Sequence, residues 1–256
     1  MLNNDLLSSG FVGEDIPSQE SMFSNISEFY RSESGYSCLH LCRRYGKLHI
    51  LKSLQPPFRQ EEFYKQLLHK EFNIGYQLDH PNIRHTIDWE QQEDLGLCIV
   101  MEYVDGISLK EFMIQGKLTQ PLAYKFIREL CEALHYIHSK QLVHKDLKPE
   151  NIIITHNGNN VKLIDFGLSD RDDYDTLKIP AGTKKYLAPE QLLPHASPDC
   201  RTDIYSLGVI IQDITSVIKD RRLVRIAQKC TQKNPDKRFH SAQEVLEALN
   251  VRRHSK

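Results

Sequence analysis

Three short motifs, in a fixed order along the second half of the chain, constrain this sequence more than any other feature. Residues 144–151 read HKDLKPEN, residues 165–167 read DFG and residues 188–190 read APE. Each motif alone is too short to carry weight, but chance does not readily produce all three in this order and spacing. They are therefore the first place to look for chemistry.

A predicted β-hairpin connects the first motif to the second. Two short apolar segments, 151–155 and 161–164, flank the turn-forming residues 156–160. Asn151 begins the first strand and Asp165 follows the second, so we expect both side chains at the same open end of the hairpin.

Upstream of these motifs, two charged residues stand at positions that the surrounding pattern reserves for apolar side chains. The alternation over 47–54 predicts a strand and places Lys52 in its apolar phase. A helical stripe over 60–79 places Glu71 among apolar residues. Because an unpaired buried charge is costly, we expect Lys52 and Glu71 to face one shared polar site.

The remaining pattern divides the chain into a β-rich part and an α-rich part. Residues 1–28 carry few apolar side chains and are interpreted as a loosely ordered lead-in, and 251–256 as a tail. Residues 29–104 contain the predicted strands, including a buried one over 97–101, and one long helix. Residues 105–250 are mainly helical, which predicts an α+β fold with a small and a large lobe. The helices predicted for the large lobe cover 121–140, 204–218, 222–230 and 241–249.

Composition argues against several classes of function. Thirty-three basic and 34 acidic residues leave a net charge of −1, so nothing attracts nucleic acid or an anionic membrane. The most apolar window, 204–218, is shorter than the roughly 20 residues that span a membrane. Six cysteines without a C-x-x-C pair favour a reducing compartment, so we expect a cytoplasmic protein. Cys38 and Cys42 lack the second ligand pair of a zinc site.

The three motifs, together with Lys52 and Glu71, resemble those of the eukaryotic-type protein kinases of the serine/threonine branch. The resemblance implies the two-lobed protein kinase fold, with the kinase domain over 29–250, and ATP and Mg²⁺ as cofactors. It also implies that Asp146 accepts the proton of a substrate hydroxyl and that Lys148 contacts the γ-phosphate.

The same resemblance assigns the nucleotide and metal contacts. Lys52 is expected to bind the α- and β-phosphates, with Glu71 holding it in place. Asn151 and Asp165 are expected to bind Mg²⁺, which prefers hard oxygen ligands. Met101 falls at the gatekeeper position.

Adenine would be bound by the backbone of residues 102–104, chiefly Glu102 and Val104. The phosphate loop departs from the family pattern, because serines stand at positions 32, 34 and 37, where the family places glycines. Serine resists the positive φ angles that glycine adopts, so we expect weaker ATP binding or loop closure. The residues expected to contribute to this loop are Ser34, Gly35, Ser37 and Leu39.

Further matches concern the framework of the large lobe. Asp203 is expected to brace the catalytic loop, and Glu190 to form an ion pair with Arg238. Lys145 replaces the arginine that usually precedes the catalytic aspartate. Gly208 and Arg238 stand only 30 positions apart, so we expect a docking helix of the family to be missing.

We therefore predict a transferase, an ATP- and Mg²⁺-dependent serine/threonine protein kinase of a signalling pathway. Its expected partners are protein substrates and a regulatory or recruiting protein, with neither nucleic acid nor membrane. One alternative is a pseudokinase scaffold that binds nucleotide with little or no phosphotransfer. Another is a kinase of small molecules on the same fold.

Overall fold

The small lobe in this computed structural model is built on a five-stranded antiparallel sheet with the strand order β1-β2-β3-β5-β4. The structure describes residues 23–32, 35–166, 184–193 and 199–250. The strands of this sheet are β1 (Phe23–Arg31), β2 (Ser37–Arg44), β3 (Lys47–Leu54), β4 (Thr86–Gln92) and β5 (Gly96–Glu102).

A tight hairpin joins β2 to β3 and fixes the position of Lys52. Tyr45 and Gly46 form its two-residue turn, and their φ angles are 50° and 77°. Positive φ at both positions matches the twist of the flanking strands, which is why such turns are favoured in hairpins. The register places Leu39 opposite Lys52, and the strand predicted over 47–54 is confirmed as β3.

The small lobe begins earlier than the sequence pattern indicates. β1 starts at Phe23, inside the segment 1–28 that the pattern marks as a loosely ordered lead-in, so the boundary at 29 is corrected. Phe23 is buried, whereas the rest of the strand is exposed. An edge strand that buries one residue needs no apolar alternation, and its sequence is therefore hard to tell from a polar lead-in.

Helix α1 (Glu62–Tyr76) packs against β3, β4 and β5 and carries Glu71. Phe63, although part of the predicted apolar stripe, is 39% exposed. Near the other end of the helix, Gly75 lies so close to β4 that a Cβ atom on it would be 2.3 Å from Thr86 Oγ1. The absence of a side chain at Gly75 therefore allows this close approach.

The large lobe consists of helices and a small sheet with the strand order β6-β7-β8. The predicted hairpin and helices are confirmed, although α4 starts at Cys200 rather than at 204, because Asp199 caps its N-terminus. Among the helices of the described residues, none combines the length and the hydropathy of a membrane span. The elements are β6 (Gly106–Ser108), α2 (Leu109–Ile114), α3 (Gln120–Ser139), β7 (Ile152–Thr155), β8 (Val161–Leu163), α4 (Cys200–Val217), α5 (Arg221–Cys230) and α6 (Ala242–Asn250).

A very short connection joins α4 to α5. Only residues 218–220 lie between the two helices, so this part of the chain has no room for a docking helix, as predicted. Asp220 caps α5 by accepting hydrogen bonds from Arg222 N (2.7 Å) and Leu223 N (3.0 Å). Its other oxygen accepts one from Gln120 Nε2 at 2.7 Å, which ties the connection to the start of α3.

The turn that precedes β4 is bound to the large lobe. Asn82 Nδ2 donates to Val161 O (2.9 Å), and Asn82 O accepts from Leu163 N (2.7 Å). Arg84 N donates to Leu163 O at 3.0 Å. The lobes are thus joined here by hydrogen bonds to β8, and a second time by the chain itself at residues 103–105.

Candidate active site

Lys52 and Glu71 form the buried ion pair that the sequence predicts. Lys52 Nζ donates to Glu71 Oε1 at 2.6 Å and to Asp165 Oδ1 at 3.1 Å, and both members of the pair are 5% exposed. Burial acts to lower the pKa of Lys52, but the charges of Asp165 and Glu71 outweigh it and raise that pKa. An ammonium has three donors, so one remains for a further acceptor.

The loop at residues 144–151, which carries the HKDLKPEN motif, holds Asp146 by one of its two carboxylate oxygens. Oδ2 accepts hydrogen bonds from Lys148 Nζ (2.7 Å) and Asn151 Nδ2 (3.0 Å), and Asn151 Nδ2 also donates to the Asp146 backbone carbonyl (2.8 Å). Oδ1 is buried and has no hydrogen-bond partner within the described ranges. Burial raises the pKa of Asp146, although Lys148 opposes this. A buried carboxylate oxygen without a partner suits a hydroxyl donor from a ligand.

Asp203 braces the backbone of this loop, as predicted. Its carboxylate accepts hydrogen bonds from His144 N (2.8 Å), Lys145 N (2.9 Å) and His138 Nε2 (2.8 Å). Burial alone would raise the pKa of Asp203, but the bond from His138 and the positive neighbours lower it. Lys145 itself has a φ of 66°, a conformation that needs such bracing.

Asn151 and Asp165 lie together at the end of the β7–β8 hairpin. Ile164 N, one residue before Asp165, donates to Asn151 O across the hairpin at 2.9 Å. Because the side-chain nitrogen Nδ2 of Asn151 donates to Asp146, the side-chain oxygen Oδ1 is left for a ligand. Amide and carboxylate oxygens are the donors that Mg²⁺ prefers, and it completes its shell with phosphate oxygens and water. The donor set therefore fits Mg²⁺ bound together with a nucleotide.

The predicted adenine side of the cleft is formed by β2, β3 and the end of β5. Met101 is 3% exposed and pairs with Ile50 across the sheet. The Glu102 carboxylate is bound by Lys162 Nζ at 3.0 Å, and the Glu102 backbone N donates to His85 O at 2.9 Å. No hydrogen bond between described residues uses the backbone amide of Val104, as a nucleotide contact there requires.

Gln55 contacts the predicted phosphate loop, although no pattern in the sequence marks this residue. Its Nε2 lies within hydrogen-bond distance of the carbonyl oxygens of Ser32 (2.7 Å), Gly35 (3.0 Å) and Ser37 (3.2 Å). Gly35 N also donates to Ser32 Oγ at 2.9 Å. These bonds hold Ser32, Gly35 and Ser37 in place by side-chain contacts.

Of two further residues predicted to contribute to the phosphate loop, the structure describes Leu39 but not Ser34. Leu39 is partly buried and packs against the core between the sheet and α1. Ser34 lies outside the described residues, as does Gly167 of the DFG motif.

Glu190 and Arg238 form the predicted ion pair. Arg238 Nη1 donates to Glu190 Oε1 at 2.6 Å and Nη2 to Oε2 at 2.7 Å, the two-pronged geometry that guanidinium favours. Arg238 is 1% exposed. The pair anchors the APE motif, which ends at Glu190, to the helical core.

Comparison with known proteins agrees with these matches. A family model described as a protein kinase domain matches residues 33–220. The chain is 32% identical over 182 residues to a probable serine/threonine-protein kinase of Clostridium perfringens, covering 69% of this chain and 26% of that relative. It is 32% identical over 168 residues to serine/threonine-protein kinase PrkC of Bacillus subtilis, covering 64% of this chain and 26% of PrkC. The chain thus spans about a quarter of the length of these relatives.

A solved structure supports the fold. The crystal structure of the Mycobacterium tuberculosis PknI kinase domain matches with a TM-score of 0.69 and 23% sequence identity. The match covers 90% of this chain and 96% of that one. The two-lobed α+β architecture predicted from the sequence is therefore confirmed.

Proposed function

Because this chain belongs to the protein kinase domain family, we propose that it transfers the γ-phosphoryl group of ATP to serine and threonine hydroxyls of proteins. The observation that carries the proposal is Asp146, which is held by Lys148 and Asn151 through one oxygen and is open at the other. A scaffold that only binds nucleotide would have no need of this arrangement.

Phosphoryl transfer requires an aligned nucleophile and stabilised charge on the phosphate oxygens, with little covalent help from the protein. Oδ1 of Asp146 accepts a hydrogen bond from the substrate hydroxyl, orients its oxygen toward the phosphorus atom and takes up its proton as the oxygen attacks. Lys148 Nζ, which already contacts Asp146, neutralises charge on the transferred group. Asp203 keeps the loop backbone in place during this step.

The nucleotide is held by residues of both lobes. Lys52 uses its remaining donor for the α- and β-phosphates, while Glu71 keeps its ammonium in position. Asn151 and Asp165 would hold Mg²⁺, which would supply positive charge against the negative charge of the phosphate oxygens. The other residues proposed to contact the nucleotide are Ser34, Gly35, Ser37, Leu39, Met101, Glu102 and Val104.

The proposed partners are protein substrates and a regulatory or recruiting protein, in the cytoplasm. A net charge of −1 supports a function without nucleic acid or membrane surfaces. All six cysteines are free thiols, which supports a reducing compartment.

The proposal is tested with γ-labelled ATP, Mg²⁺ and peptide mixtures that contain serine, threonine or tyrosine as the only hydroxyl. We expect label on serine and threonine, and its loss when Mg²⁺ is chelated or Lys52 is replaced by methionine. Nucleotide binding without any transfer to peptide or protein would refute the proposed activity and favour the scaffold.

A double-mutant cycle tests whether Lys52 and Glu71 act as one unit. We expect Lys52→Met and Glu71→Gln each to lower kcat/KM for ATP, and the double variant to be little worse than Lys52→Met alone, since Glu71 acts through Lys52. Initial rates of the four proteins measure the coupling. Additive effects would show that the 2.6 Å contact is not used in the active enzyme.

A further inference from the structure

Arg84 places a second cation behind the Lys52–Glu71 pair. Its backbone N donates to Leu163 O at 3.0 Å, and Asp165 follows Leu163 by two positions. This bond fixes Arg84 relative to Asp165 in the other lobe. The family motifs do not point to a cation at this position, and the proposed mechanism does not use one.

A cavity of about 10 Å³ is lined by Met101 and by charged residues of this region. Arg84, Glu71, Asp165 and Thr86 are among the residues that line it. Its volume is close to the minimum that holds one water molecule. Glu71 uses Oε1 for its ion pair, whereas Oε2 is buried and has no hydrogen-bond partner within the described ranges. Arg84 and Glu71, whose Oε2 lacks a partner, thus line the same small space.

The charges of the cluster balance only when Arg84 is included. Lys52 is one cation against the two carboxylates of Glu71 and Asp165, and the proposed function requires it to bind a phosphate as well. Arg84 keeps its charge at any ordinary pH. Burial lowers the pKa of Arg84, and the nearby carboxylates of Asp165, Glu71 and Glu102 oppose that effect.

We propose that Arg84 is a positioning residue that serves as the second counter-ion of Glu71. It satisfies Oε2 of that carboxylate through one water molecule in the cavity, and so keeps α1 docked while Lys52 engages the nucleotide. The role of Lys52 in this inference rests on the proposed function, whereas the docking of α1 does not.

Trp89 on β4 supplies an optical probe of α1 that is independent of activity. It is the only tryptophan of the chain. Its ring centroid lies 5.3 Å from that of Phe72 and 5.4 Å from that of His69, both on α1. Displacement of the helix would expose the indole to water and shift its emission to longer wavelength.

The experiment uses the full chain with the variants Arg84→Met, Arg84→Lys, Glu71→Gln and Arg84→Met/Glu71→Gln. We expect Arg84→Met to red-shift Trp89 emission, lower the melting temperature and raise KM for MgATP by about tenfold, the scale of a close pairwise coupling. Arg84→Lys keeps the charge and should restore all three readouts toward wild type. In the Glu71→Gln background, Arg84→Met should add little. Arg225→Met, an exposed arginine on α5, is the matched control and should behave as wild type.

Three outcomes would overturn the inference: wild-type behaviour of Arg84→Met, equal damage from Arg84→Lys and Arg84→Met, or an effect of Arg84→Met that is unchanged in the Glu71→Gln background. Emission and melting temperature decide the docking role even if the chain transfers no phosphate. Conversely, normal phosphotransfer with additive Arg84 and Glu71 effects would refute this inference and leave the proposed function standing.

Discussion

Replacing Asp146 by asparagine is expected to lower kcat for peptide phosphorylation by about a thousandfold, within the range that a positioned acid–base group contributes. Asparagine can still accept hydrogen bonds from Lys148 and Asn151, so the loop should keep its shape. It cannot take up the hydroxyl proton at the position of Oδ1, which is the atom left open in the structure. The affinity for MgATP should change little, because Asp146 is not among the proposed metal ligands.

The measurement combines initial rates with calorimetric titration of MgATP into the same protein. Asp165→Asn is the informative contrast, since it should weaken Mg²⁺-dependent nucleotide binding as well as turnover. Asp79→Asn, with a side chain that is 90% exposed, is the control and should leave both values at wild type. Undiminished turnover in Asp146→Asn would contradict the assignment of this residue as the proton acceptor.

The largest effect on stability is expected from Arg238→Met. Its guanidinium is bound by Glu190 and by the carbonyl oxygens of Gln232 (2.8 Å), Arg201 (2.9 Å) and Lys233 (3.2 Å). Removing it leaves a carboxylate and several carbonyl groups without their partner in the core. Removing only one member of a buried ion pair typically lowers the free energy of unfolding by about 3–5 kcal/mol. Denaturant unfolding, followed by circular dichroism, measures this loss.

Two comparisons make the stability prediction specific. Arg31 pairs with Glu28 on the exposed face of β1, and Arg31→Met should leave the unfolding midpoint unchanged, because exposed pairs contribute little. In the double variant Arg238→Met/Glu190→Leu, the stranded carboxylate is gone, so part of the stability should return. Equal free energies of unfolding for Arg238→Met and Arg31→Met would show that the Glu190–Arg238 ion pair does not anchor the APE motif.

The residues that the sequence could identify are those that break a local pattern. Lys52 and Glu71 stand in apolar phases of a strand and a helix, so their pairing was predictable without any knowledge of the fold. Asp146, Asn151 and Asp165 are marked by motifs whose spacing around one hairpin already places them together. In each case the information lies within a short window of the chain.

Arg84 and Gln55 could not be found in this way, because their roles depend on contacts with residues distant in sequence. Gln55 is one polar residue before Pro56, and only the folded loop brings three carbonyl groups to its amide. Arg84 precedes β4, whose sequence TIDWEQQ lacks the alternation that marks a half-buried strand. β1 was not predicted for the same reason, since its sequence also lacks this alternation.

The attachment of the turn at residues 80–84 to β8 restricts how the lobes can move. The chain crosses between the lobes at residues 103–105, and the bonds of Asn82 and Arg84 to β8 fix a second place. Two fixed places define a line, so any motion that preserves both is a rotation about that axis, as in a hinge. Points near the axis travel least and points far from it travel most. We therefore expect the cleft to open along a single arc, in which the tip of the β2–β3 hairpin moves far while the surroundings of Arg84 stay almost stationary.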